Sequence, residues 1–205
     1  MTESVEKETG RVEAFSDGVF AIAITLLILE LKVPHFQGGA SNAQVLQALV
    51  ALWPSYVAFL LSFFAILIMW INHHGLFRLI HRIDTPFLYA NGAMLLLVTF
   101  VPFPTALLAA YLGHSGEHTA AATYCGTFVL VSIAFNAFWE VATKRGLLKR
   151  GVPAAHVAKI RNAYRFGLFV YVVAALLAFW RPVVGLGLCL SLWIFWIILD
   201  YRGEE

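Results

Sequence analysis

Charge is what this chain lacks most. Only 13% of its 205 residues are Asp, Glu, Lys or Arg, while 60% are hydrophobic and the mean hydropathy is +0.79. A soluble domain carries about 25% charged residues and about 45–50% apolar ones, so a large water-soluble domain is excluded. Cysteine is scarce too: Cys125 and Cys189 both lie in apolar runs, which rules out the disulfide framework of a small secreted domain and leaves them as packing residues. There is no Walker, Rossmann or nucleophile-elbow pattern, so nucleotide-driven transport and hydrolysis lack their chemical basis. The Thr-Val-Gly-Tyr-Gly carbonyl filter of ordinary potassium channels is missing as well. Fourteen basic against twelve acidic residues, scattered among short loops, argue against nucleic acid as a partner.

What is present is long apolar runs. A spanning helix takes roughly 20 apolar residues, and the runs and breakers of this chain predict an all-α integral membrane protein with six transmembrane helices, one domain over residues 1–205. Span one is predicted from about Arg11 to Val33, and span two from Asn42 through Trp53-Pro54 to Phe77 as one helix kinked at the proline. Span three opens at Asp84-Thr85-Pro86 and bends at Pro102-Phe103-Pro104. Spans four to six cover about Thr119–Val141, Ala154–Phe179, and the stretch after Arg181-Pro182 to near Asp200. Met1–Gly10 is acidic and lacks the basic start of a secretory signal, so the first run is expected to remain in the mature protein. Of the fourteen Lys and Arg, only Lys32 and Arg181 fall on the loops opposite the termini. The positive-inside rule therefore predicts a multi-pass protein of the cell (plasma) membrane with both termini cytoplasmic.

Span one is not an ordinary anchor. Twelve uncharged residues separate Asp17 from Glu30, roughly 18 Å of rise in a hydrocarbon core about 30 Å thick. Asp17 is thus expected within or at the edge of the membrane, where a carboxylate needs protein or water as a partner. The last turns of span two, Trp70-Ile71-Asn72-His73-His74, lie at the same depth and carry donors. A hydrogen bond from His73 or Asn72 to Asp17 is predicted. At 100° per residue, Arg11, Phe15, Gly18, Ile22, Thr25 and Leu29 form one stripe. Such a stripe is either ordinary helix-packing surface or, in a symmetric oligomer, the wall of a narrow pore. Thr25 inside it and Arg11 at its end favour the pore.

Arg11-Val-Glu-Ala-Phe15-Ser16-Asp17 at the opening of span one, with Trp70-Ile-Asn72-His73 closing span two, resembles the transmembrane protein 175 family of potassium channels. The resemblance implies a homotetramer in the lipid bilayer with four copies of span one around a path for potassium ions, which are permeant ions and not a cofactor. It implies an apolar constriction at Ile22, a polar layer at Thr25 and an apolar layer at Leu29. It also implies a structural polar network of Arg11, Phe15, Ser16, Asp17, Trp70, Asn72 and His73, with no catalytic residue, metal or cofactor. The chain then reads as a channel and not an enzyme. The competing reading is a proton-coupled small-solute transporter, suggested by the intramembrane Asp17 and the histidines. His114-Ser-Gly-Glu117-His118 has a zinc-protease spacing, but Gly113 and Gly116 predict a solvated loop there.

Overall fold

The computed structural model describes residues 2–199, with side chains from Glu8 onward. Eight α-helices follow one another: α1 Thr2–Leu26, α2 Asn42–Ala51, α3 Trp53–Phe77, α4 Thr85–Phe100, α5 Pro102–Tyr111, α6 Glu117–Lys144, α7 Ala154–Ala178 and α8 Pro182–Ile198. Taking α4 with α5 as one bent rod, five helices are long and apolar enough to cross a membrane. The sixth, α8, has 17 residues, at the lower limit for a span.

Prolines account for most of the departures from straight rods. The predicted single kinked span two is in fact two helices. Leu52, at φ −77° and ψ 7°, ends α2 and caps α3, whose first turn holds Pro54. A proline in the helix interior loses a hydrogen bond and clashes with the carbonyl four residues back, whereas in a first turn it costs nothing. The chain stops and restarts. The start of α2 is equally well defined, since Ser41 and Gln44 form a reciprocal capping box. At Val101 the same chemistry bends span three between α4 and α5 as predicted.

The bundle is organised around α6, which packs on α4, α5, α7 and α8, while α1 leans on α3 and α4. Close contacts follow small residues: Gly185 of α8 sits against the Ala174 carbonyl and Ala178 of α7, where a Cβ would lie 2.6 Å from both. Cys125 and Cys189 are free and buried, their sulfurs 3.3 Å apart between α6 and α8. In the first half of α3, Ser62 Oγ lies 2.6 Å from Thr105 Oγ1 and 3.2 Å from the Tyr124 hydroxyl, satisfying buried polar groups inside the bundle.

The two basic loops, between α3 and α4 and between α6 and α7, are stitched together at one end of the bundle. The His81 N–H donates to the Leu147 carbonyl and the Lys149 N–H to the Leu79 carbonyl, both at 2.8 Å, around an antiparallel bridge between Ile80 and Leu148. Asp84 adds a side-chain tie. It caps α4 by accepting from the Phe87 N–H at 3.0 Å and also accepts from Arg145 Nε. The Arg145 guanidinium, helped by the cap, holds the Asp84 carboxyl below the usual carboxylate range. A depressed folded-state pKa means stabilisation that is complete above the unfolded value and is lost as pH falls through the folded one. The wild-type melting temperature should therefore drop more steeply below about pH 4 than that of Asp84→Asn. Parallel pH–melting curves for the two proteins would show that the pair contributes nothing.

Candidate functional site

Two seams run along α1. Ser16, Phe20, Ala23 and Leu27, spaced four, three and four, are all buried against the rest of the protomer. On the other side Phe15, Ile22 and Leu29 are 60–67% exposed, and Arg11, Gly18 and Thr25 are exposed with them. The predicted stripe thus points away from the protomer. The exposed surface is wider than that stripe, since Ala14, Ala21, Leu26 and Ile28 are also open. The helix is the least buried of the five long spans.

Two details of this face bear on cations. The Thr25 hydroxyl donates to the Ile22 carbonyl at 2.9 Å, which turns its oxygen lone pairs outward as acceptors. After Leu26 the helix tightens into a 3-10 turn, Leu27–Glu30. There Lys32 Nζ donates to the Leu29 carbonyl at 2.8 Å, setting a positive charge beside the Leu29 and Glu30 level.

The polar network lies on the opposite flank of α1, and its wiring differs from expectation. Asp17 Oδ1 accepts from the Trp70 indole N–H at 2.8 Å, and His73, one of the two donors predicted for Asp17, is engaged elsewhere. Asn72 Nδ2 donates to the Ile68 carbonyl one turn back in its own helix. His73 is fully buried, and its Nε2 lies 3.0 Å from Asn91 Oδ1. Asn91 Nδ2 in turn donates to Ser16 Oγ at 3.0 Å, and Ser16 donates to the Val12 carbonyl. With the Asn91 oxygen accepting, His73 carries its proton on Nε2. Phe20, Phe77 and Phe138 enclose its ring, with centroids 4.6–5.8 Å away. Arg11 and Phe15, expected in this network, are exposed on the stripe.

Two participants lie outside the predicted set. Asn91, on α4, is the hub that joins α1 to α3, and its signal was an amide buried in an otherwise apolar span. Glu13 is the other: it meets His74 Nδ1 at 2.8 Å, which separates the two neighbouring histidines into a buried one and a half-exposed one. Glu140 pairs with Lys144 as expected for residues one turn apart, and with Arg161 and Arg165 besides. His114 and His118 bond the Leu112 and Phe179 carbonyls, while Glu117 accepts from the Gly113 N–H. His114 lies in the loop before α6 as predicted, whereas Glu117 and His118 form the first turn of α6, and these separate bonds leave no shared zinc set.

The family described as "Endosomal/lysosomal potassium channel TMEM175" matches residues 11–102, which include the stripe and the network. A potassium channel of Chamaesiphon minutus is 49% identical over 200 residues, 97% of this chain and 98% of that one. A potassium channel of Streptomyces collinus is 48% identical over 160 residues, 76% of each. A bovine protein named endosomal/lysosomal proton channel TMEM175 is 33% identical over 86% of this chain, which spans 38% of that protein's length. The crystal structure of a lysosomal potassium-selective channel TMEM175 homolog from Chamaesiphon minutus superposes with a TM-score of 0.83 at 49% identity, covering 94% of this chain and 97% of the other.

Proposed function

This chain belongs to the TMEM175 family, and on that premise we propose that it is a potassium channel: residues 1–205 act as one channel domain, and four copies assemble around a pore lined by α1. The observation that carries this reading is the two-seamed first helix, buried on Ser16, Phe20, Ala23 and Leu27 and open on Phe15, Ile22, Thr25 and Leu29. A lipid-facing helix needs no threonine oxygen on its open face and no charge beside its end. The breadth of the open surface fits a helix that faces an axis and also touches a neighbouring copy on each flank, as closed symmetry requires.

Conduction then follows from the side chains. Four Ile22 residues form an apolar ring that gates by losing water. Four Thr25 oxygens, their protons engaged with the Ile22 carbonyls, replace part of the ion's hydration shell just beyond it. Leu29 closes the layer. At the outer mouth Glu30 attracts cations, and Lys32, held on the Leu29 carbonyl, opposes them. No resident cofactor is needed, because the ion moves passively down its gradient. The positive-inside rule applied to the basic loops favours a cell-membrane protein with both termini cytoplasmic. The transporter reading loses its motive, since Asp17 is bonded to the Trp70 indole on the far flank from the stripe.

Purified protein in liposomes tests the function directly. A potassium gradient should drive an electrogenic flux without added solute, larger than that of sodium or protons. Proton flux above potassium flux, or flux that needs a co-substrate, would overturn the assignment. Assembly has its own test in cysteine pairs at equal depth. Leu29→Cys should crosslink between subunits under mild oxidation, while Leu27→Cys, buried within its own protomer, should not. Equal crosslinking at both positions, or a monomer in mild detergent, would remove the central pore.

A further inference from the structure

We propose that the cleft between the two stitched basic loops is a binding site for the phosphate headgroup of an anionic phospholipid. Its walls are His81 and Arg82 from one loop and Gly146, Leu148 and Arg150 from the other, around a volume of about 670 Å³. The walls are held in place by backbone: the hydrogen bonds across Leu79, His81, Leu147 and Lys149 tie the loops together. Gly146, at φ +63°, makes the left-handed turn that returns the second loop to the first.

The charges here are only partly compensated, since Asp84, two residues from Arg82 and under its electrostatic influence, is the nearby carboxylate and is itself bonded to Arg145. Glu140 is shared by Lys144, Arg161 and Arg165. Among the described residues, Arg82 and Arg150 have no ion pair and no side-chain hydrogen bond, and no carboxylate lines the cleft. Two guanidinium forks and an imidazole on a fixed frame suit a phosphate, which Arg binds through paired N–H donors. Orientation alone accounts for basic residues on this side, but not for two of them lining one cleft whose walls are joined by backbone hydrogen bonds.

The adjoining surface selects a lipid over a soluble phosphate. Leu148 lines this cleft and also a neighbouring groove, where Val152, Ala154 and Val157 form an apolar side and Thr143, Lys144 and Arg161 a polar one. The apolar side of that groove leads away from the cationic cleft beside α7, room for an acyl chain, and the cleft itself lies at the ends of membrane-spanning helices, at headgroup level. With the basic end cytoplasmic, as in the function proposed above, the facing leaflet is the one that attracts polybasic segments.

Native mass spectrometry of the purified full-length protein, titrated with phosphatidylglycerol, phosphatidylcholine or inorganic phosphate, tests this without reference to flux. Phosphatidylglycerol should be retained in preference to phosphatidylcholine, and inorganic phosphate should not displace it. Arg82→Gln with Arg150→Gln should weaken phosphatidylglycerol binding roughly thirtyfold, the loss expected for two basic groups at an anionic surface. Each single variant should weaken it about fivefold, which decides the matter if the double variant fails to fold. Lys159→Gln, an exposed cation of α7 outside the cleft, should bind as the wild type does. Equal loss in Lys159→Gln would reveal diffuse surface attraction only, and unchanged binding in the arginine variants would eliminate the site. Displacement by phosphate alone would reassign the cleft to a soluble phosphate compound.

Discussion

Ile22→Asn is expected to lower the potassium-to-sodium permeability ratio by roughly tenfold and to raise total conductance. A tenfold change needs only about 1.4 kcal/mol, and in the proposed tetramer four branched apolar side chains exchanged for four amides change the hydration of a narrow ring by more than that. An apolar constriction selects by what an ion must shed to pass it. An amide ring stays wet and lets either cation keep its water. Ile22 is 60% exposed in the protomer, so the substitution removes little packing within its own bundle and should leave folding intact. Bi-ionic reversal potentials of the reconstituted variant measure the ratio. Wild-type selectivity and conductance in that protein would exclude Ile22 as the constriction.

Asn91→Ala should be the most destabilising single change in the polar network, more so than Asp17→Ala. Interhelical hydrogen bonds in membrane proteins average only about 0.6 kcal/mol, because in most cases the freed group finds another partner. Asn91 is different in position: it is 3% exposed and serves His73 on α3 and Ser16 on α1 at once. Its loss leaves His73 Nε2 without an acceptor among three phenylalanine rings. The cost is about 1–3 kcal/mol for such a stranded donor, before the loss of Asn91's own packing. Asp17→Ala strands only the Trp70 indole, which is half-buried. Thermal melting in detergent should rank the variants in that order. If Asn91→Ala melts with the wild type, or above Asp17→Ala, then Asn91 is not the hub that holds the pore helix to the bundle.

Much of this was legible in sequence, for reasons particular to the elements concerned. The long spans could be found because lipid demands an unbroken apolar run. The stripe through Phe15, Ile22, Thr25 and Leu29 could be drawn because a helix has a fixed angular step, and the structure leaves those residues exposed. The bend at Val101 follows from Pro102 and Pro104, as does the break at Leu52 from Pro54, although whether a proline kinks a helix or ends it depends on how the two pieces pack. Of the network, the depth of Asp17 and the donors of Trp70 and His73 were visible, but their pairing was not. Trp70 and His73 are three positions apart on one helix, yet one bonds α1 and the other α4.

By itself, then, the sequence determined the membrane class, the spans, the expected sidedness and the two-faced character of α1, all of which are properties of single helices in contact with lipid or water. Only the tertiary structure decided that Asn91 joins Ser16 to His73, that Glu13 takes His74, and that residues 79–82 meet 147–149 to close a cationic cleft. Periodicity states which face of a helix is polar. Which neighbour that face meets depends on the rotation and height of a second helix, set by the packing of many apolar side chains across the whole bundle.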